Sequence, residues 1–232
     1  MKSLTSPLTL IAACAALTAC NLHVTPPPPD CSPLDVVNKA TPPAPTGGSY
    51  PESINIVDQD EKDGVGYSWA HGQGYVLAPL AAVWAALQMP AVVADRRQLK
   101  SDGWVILQSN VDPKADWSFN LQCTTSPSTG LTFPYNVAWR GAHTAGTATV
   151  PTAAAVCGDL TQSGTFAGAN LMSILSDSIV LTAVSEGVTQ YSVIRHRGPL
   201  SDSGANCKQY VLDVYNSVVA QVHGMALPPN QN

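Results

Sequence analysis

The sequence predicts an α+β domain in which one strand, two short helices and six further strands are followed by a long C-terminal helix. Three observations carry this. Hydrophobic residues make up 45% of the 232, enough for a sizeable core, while charged residues reach only 12%, about half the usual share. Several middle segments alternate apolar and polar side chains at period two, the pattern of a sheet with one covered and one wet face. Near the C-terminus, Tyr210, Val211, Val214, Tyr215, Val218 and Val222 follow the 3, 4 spacing of a single buried helical stripe. A formal charge of −5, with no basic run beyond Arg96-Arg97 and Arg195-His196-Arg197, argues against a nucleic-acid partner, which needs a clustered cationic surface.

The first strand is read over Gly66 to Leu77 (GYSWAHGQGYVL). It sets Tyr67, Trp69, Tyr75 and Leu77 on one face against Gly66, Ser68, Ala70, Gly72 and Gly74 on the other. Pro79 then starts a helix through LAAVWAALQ, since a proline at the first helical position gives up an N–H that has no helical partner anyway. Pro90 starts a shorter helix, PAVVADRRQ, with Asp95-Arg96-Arg97 as its polar end. Strands follow over Gly103 to Asn110, Trp117 to Thr125, Leu131 to Ala142 and Thr144 to Val156. Two more, about 170 to 185 and 188 to 197, are joined by a Glu186-Gly187 turn. The closing helix is expected from Gly204 to His223.

At the other end, Lys2 precedes an apolar run of ten residues, Leu8 to Leu17, too short to span roughly 30 Å of bilayer and therefore a signal-peptide core. The run ends in Leu17-Thr18-Ala19-Cys20, which resembles the lipobox of bacterial lipoproteins. The resemblance implies cleavage before Cys20 and a mature protein held to the membrane of the cell envelope by lipid on Cys20. Each buried methylene contributes about 0.8 kcal/mol to such an anchor. Asn21, where an inner-membrane retention signal would have Asp, implies the outer membrane in a Gram-negative cell. The expected division is a leader over 1–19, a tether over 20–50 and a folded domain over 51–232. Pro26 to Pro29, Pro42, Pro43, Pro45 and Gly47-Gly48 exclude a helix or sheet interior in the tether and favour an extended spacer of about 3.1 Å per residue. Besides Cys20 the mature chain keeps Cys31, Cys123, Cys157 and Cys207; an even number in an exported chain predicts up to two disulfides, with all three pairings open. No ligand spacing for zinc or another metal is present.

The order of elements, with the segment Tyr75 to Pro90 (YVLAPLAAVWAALQMP), resembles the helix-grip fold of the START, Bet v 1 and polyketide-cyclase proteins over about residues 64–224. That resemblance implies an antiparallel sheet wrapped around the C-terminal helix, with a cavity between them. Phe119, Leu121, Tyr135, Val137 and Trp139 of the strands and Tyr210, Val214 and Val218 of the helix would line it, either around an apolar ligand or closed on one another as core.

Catalytic and cofactor motifs are missing: no G-x-S-x-G elbow, no P-loop and no dinucleotide fingerprint occur, so no cofactor is expected. The acids Asp58, Asp60, Asp63, Asp112 and Asp116 sit in turn-like contexts. In Ile194-Arg195-His196-Arg197, alternation sends His196 to one face and Arg195 to the other. If His196 faces the cavity it can orient a polar head or act as acid–base; if Arg195 does, it can pair with a carboxylate. The expectation is a lipid-anchored envelope protein that binds an apolar small molecule or lipid, or serves as a structural or interaction module. The alternative is a polyketide-cyclase- or hydratase-type enzyme using His196 or a cavity tyrosine, which the scarcity of acids at core positions disfavours.

Overall fold

The computed structural model describes residues 37–60, 66–95, 99–125, 132–166, 168–198 and 203–228. Its strands are β1 (Ile54–Gln59), β2 (Ser68–Val76), β3 (Leu99–Ser109), β4 (Trp117–Thr125), β5 (Pro134–Gly146), β6 (Pro151–Gln162), β7 (Thr165–Phe166), β8 (Ala169–Asn170), β9 (Ile174–Ser185) and β10 (Val188–Gly198). Helices α1 (Leu80–Leu87) and α2 (Pro90–Val93) separate β2 from β3, and α3 (Gly204–Val222) closes the chain. Eight strands form one antiparallel sheet in the order β1-β2-β10-β9-β6-β5-β4-β3, with β7 and β8 as a separate small hairpin. All three helices lie on one face of the sheet, α3 against β1, β2 and β10, and α1 against β6, β9 and β10.

The α+β expectation, with its antiparallel sheet and long C-terminal helix, describes this architecture. Two details differ. β1 was not expected, because Ile54-Asn55-Ile56-Val57-Asp58-Gln59 has no clean period and buries little. The strand expected from Thr144 starts instead at Pro151, because Gly146 at φ +86° ends β5 in a turn that Thr147 closes through its hydrogen bonds to Val150. At the start of α3, the Ser203 side chain accepts from the Asn206 amide, a cap that satisfies one of the orphaned first-turn donors.

β2 decides how the layers fit. Ala70, Gly72 and Gly74 point toward the helices, and α3 rests on them. A Cβ added at Gly72 would lie 2.9 Å from Ile54 and 3.0 Å from both Val193 and Val211, so only glycine lets the helix come this close. The aromatic side of β2 therefore faces away from the helices. Its residues Trp69, His71 and Tyr75 are covered by the segment before β1, through Lys39 and Tyr50. Asn38 Nδ2 donates to Gly72 O (3.0 Å), Ser192 Oγ (3.0 Å) and Val193 O (3.1 Å). Gln73 Nε2 donates to Ala40 O, and the Tyr50 ring meets Tyr75 with centroids 4.8 Å apart. The packed part of the chain thus includes residues from Asn38 onward and not only those after 51.

Gly72→Val is expected to lower stability by about 1–3 kcal/mol through overpacking under α3. Chemical denaturation checks this, and an unchanged midpoint would mean the helix does not seat on β2 as described.

Candidate functional site

Strand register builds the site. Ala70, Arg195, Asp177, Gly158 and Trp139 are successive cross-strand partners on β2, β10, β9, β6 and β5, so their side chains share the helix-facing side in one row. Direct opposition brings Arg195 and Asp177 together: Nη1 donates to Oδ1 at 3.0 Å and to Oδ2 at 2.8 Å. Gly158 leaves room for the Trp139 indole, which a Cβ there would meet at 2.7 Å. α3 supplies the lid of the row, with the Tyr210 ring centroid 3.5 Å from Arg195 Cζ, a desolvated cation–π contact. From the segment after α2, Asp95 approaches Arg195 Nη2 at 3.5 Å and Arg197 Nη1 at 3.8 Å.

Arg195 and Asp177 are each 1% exposed and Asp95 is 7% exposed. These groups, with Val93, Ala94, Leu121, Cys123, Tyr135, Val137, Trp139, Leu175 and Tyr210, surround a cavity of about 10 Å³ between sheet and helix, room for about one water molecule. Arg195 Nε and Nη2 and both Asp95 oxygens have no hydrogen-bond partner among the described residues. Burial pushes the Asp177 carboxyl up to about 6, more than the facing guanidinium pulls it down. Burial opposes the charge on Arg195 as well, but the Asp177 carboxylate holds its pKa above the ordinary arginine value. Burial likewise pushes the Cys123 thiol up to about 12.

Of the residues expected to line a cavity, Leu121, Tyr135, Val137, Trp139 and Tyr210 do so. Phe119, Val214 and Val218 are buried in the surrounding core without lining it. His196 is placed on the opposite face, its ring stacked on Tyr67 with centroids 4.5 Å apart and 6.1 Å from that of His71. A cavity acid–base role for His196 is therefore corrected: the alternation that points Arg195 inward points His196 outward. Asp177 and Asp95, which the sequence reading missed, supply buried acids beside Arg195. The one signal for Asp177 was that it is the only charged residue of its strand, between Ser176 and Ser178; Asp95 reads as the polar end of a helix that stops at Val93.

The two-disulfide expectation is corrected as well. Cys123 and Cys207 are buried free thiols on the helix side of the sheet. Cys157 projects from the other face, in a row with His71, Ile194 and Ser178, so the sheet itself separates it from both. Cys20 and Cys31 lie outside the described residues.

Removing Asp177 alone is expected to cost more than removing the pair. Asp177→Leu leaves a buried guanidinium without its main counter-charge, an expected loss of about 3–5 kcal/mol, whereas the double variant Arg195→Met/Asp177→Leu recovers most of it. Additive losses in urea unfolding would show that the two side chains do not act as a unit.

No protein-family model matches the sequence, and no curated protein matches it. Solved structures do. Human STARD10 superposes with a TM-score of 0.50 at 4% identity, covering 73% of this chain and 69% of that one. The human StarD13 (DLC2) lipid transfer and protein localization domain gives 0.47 at 10% identity, covering 78% and 87%. The Zhui aromatase/cyclase from Streptomyces sp. R1128 gives 0.43 at 10% identity, covering 74% and 94%. At 4% identity the likeness to STARD10 is one of fold alone, an antiparallel sheet packed on a long C-terminal helix.

Proposed function

We propose that the protein is a lipid-anchored component of the bacterial envelope whose helix-grip domain binds an apolar small molecule or lipid through one polar group held at Arg195. The unsatisfied hydrogen-bonding groups in the cavity carry the ligand part of this reading. Arg195 Nε and Nη2 offer donors and Asp95 offers acceptors into a space walled by Leu121, Val137 and Trp139. Leaving such groups unpaired in a dry interior costs several kcal/mol. A ligand group that both accepts and donates, such as a hydroxyl, satisfies the two sides at once, and its apolar body suits the walls. With only about 10 Å³ free, entry requires the wall formed by Val93, Ala94 and Asp95 to move, against the hydrogen bond from Tyr210 Oη to Val93 O at 2.8 Å.

The anchor rests on the lipobox-like Leu17-Thr18-Ala19-Cys20 and the proline-rich spacer after it. A single Cys31–Cys157 disulfide fits the same picture. Cys157 alone among the described cysteines is not a free thiol. Eight residues separate Cys31 from Lys39, a reach of about 26 Å, while three strand spacings, about 14 Å, separate His71 from Cys157. Forming the bond removes two protons and two electrons, which the thiol oxidants of an exporting compartment accept.

A cyclase-type enzyme is the second reading, and the cavity acids favour it over the His196 version: a carboxyl titrating near 6, as Asp177 does, can take and return a proton near neutral pH.

Native mass spectrometry of the full chain, extracted from membranes in mild detergent, tests the proposal. The expected result is a chain beginning at an acylated Cys20, with one disulfide and a non-covalent adduct that is lost on denaturation and absent from Arg195→Met. An adduct-free mass would overturn the ligand reading, an unmodified Cys20 the anchor, and a thiol at Cys31 the disulfide. An adduct whose mass changes in Asp177→Asn would move the balance to the enzyme.

A further inference from the structure

The outer face of the sheet carries a second arrangement, remote from the Arg195 cavity. Lys39 N donates to His71 Nδ1 at 3.0 Å. His71 is therefore an acceptor at Nδ1, neutral and with its proton on Nε2. The imidazole is 1% exposed and lies against Trp69, whose ring also carries the Lys39 ammonium at 4.1 Å from its centroid. Asn38, Ala40 and Tyr50 complete the covering segment through the contacts to Gly72, Ser192, Val193, Gln73 and Tyr75 described above, and Asn55 Nδ2 donates to Thr41 O at 3.0 Å.

We propose that residues 37–50 are an acid-released strap: they dock on β2 and β10 while His71 is neutral and let go when its imidazole takes a proton. Protonation puts a hydrogen on Nδ1, so the ring and the Lys39 amide confront each other as two donors. It also places a cation beneath the Lys39 ammonium and beside His196. These two are the charged or titratable groups that face His71 from the strap and from β10. Its β1 partner is Val57, and no carboxylate among the described residues is paired with it to compensate. Burial first, then His196 and Lys39, hold its pKa down from 6.5 to about 4.

The direction follows from linkage. The docked state takes up the proton less readily than the released state, whose exposed imidazole titrates at its ordinary value. Docking is therefore strongest above about 6.5, weakens as pH falls, and loses this contribution fully once pH passes below about 4. Between pH 7 and 4.5 the docking equilibrium is expected to fall by on the order of 10²-fold. Release uncovers Trp69 and Tyr75.

The test is amide hydrogen exchange by NMR on the full chain, corrected for the intrinsic pH dependence of exchange. Protection of the Lys39 amide should drop by on the order of 10²-fold from pH 7 to 4.5 while Val156 and Ile179 in the core strands stay protected. His71→Asn, whose Oδ1 can accept in place of Nδ1 but does not titrate, should show a flat profile. Constant Lys39 protection in the wild-type chain overturns the proposal, as does an equal loss in His71→Asn. If that variant does not fold, the wild-type contrast between Lys39 and the core amides decides alone.

Discussion

One buried guanidinium sets the terms for this structure. Arg195 sits where water has no ready access, and a cation there is tolerable only when neighbours are placed around it from several directions. The sheet register delivers Asp177 from the adjacent strand, α3 delivers the Tyr210 ring, and the segment after α2 delivers Asp95. The Asp177 partner comes with the β9–β10 hairpin, but the full set around Arg195 is complete only when the segment after α2 and α3 have also packed on the sheet. The same convergence leaves hydrogen-bonding capacity unused on Arg195 and Asp95. That unmet polarity, in an otherwise apolar recess, is the observation on which the ligand proposal rests.

A second constraint runs through β2. Its glycines and Ala70 give α3 a flat seat, which is what brings Tyr210 within reach of Arg195. The consequence appears on the reverse side. The aromatic half of the strand has no helix to cover it, and the chain before β1 folds back to do so. Seating the helix and docking the segment before β1 are two results of one alternation pattern. Residues 38–50 are thereby part of the packed domain, on the face opposite the cavity.

Much of the architecture was legible because it rests on periodicity. Trp117 to Thr125 and the α3 stripe announce themselves by spacing of 2 and of 3, 4, and Pro79 and Pro90 mark helix starts whose cause is local backbone geometry, whereas the break at Gly146 is read through because a single glycine inside a strand pattern does not announce a turn. Periodicity separates the two faces of a strand without saying which is covered. That is why the side of β2 bearing Trp69 and Tyr75, and the choice between Arg195 and His196, stayed open in the sequence. Asp177 was harder still: within Ile174-Leu-Ser-Asp-Ser-Ile-Val180 a lone acid looks like strand polarity, and its partner lies 18 residues away across a turn. β1 escaped because a half-exposed edge strand needs little apolar pattern. Cysteine pairing was invisible for the same reason as the faces, since the sheet, and not the spacing, keeps Cys157 from Cys123 and Cys207.

The most direct measurement is a crystal structure, at a resolution that distinguishes water from larger groups, of the protein purified from its native source. The account predicts density beside Arg195 Nη2 and Asp95 that extends past the volume of one water into the apolar recess, with the Val93–Asp95 wall displaced. A closed recess with a single ordered water bridging Arg195 and Asp95 would contradict it and make the buried pair a purely structural element of the core.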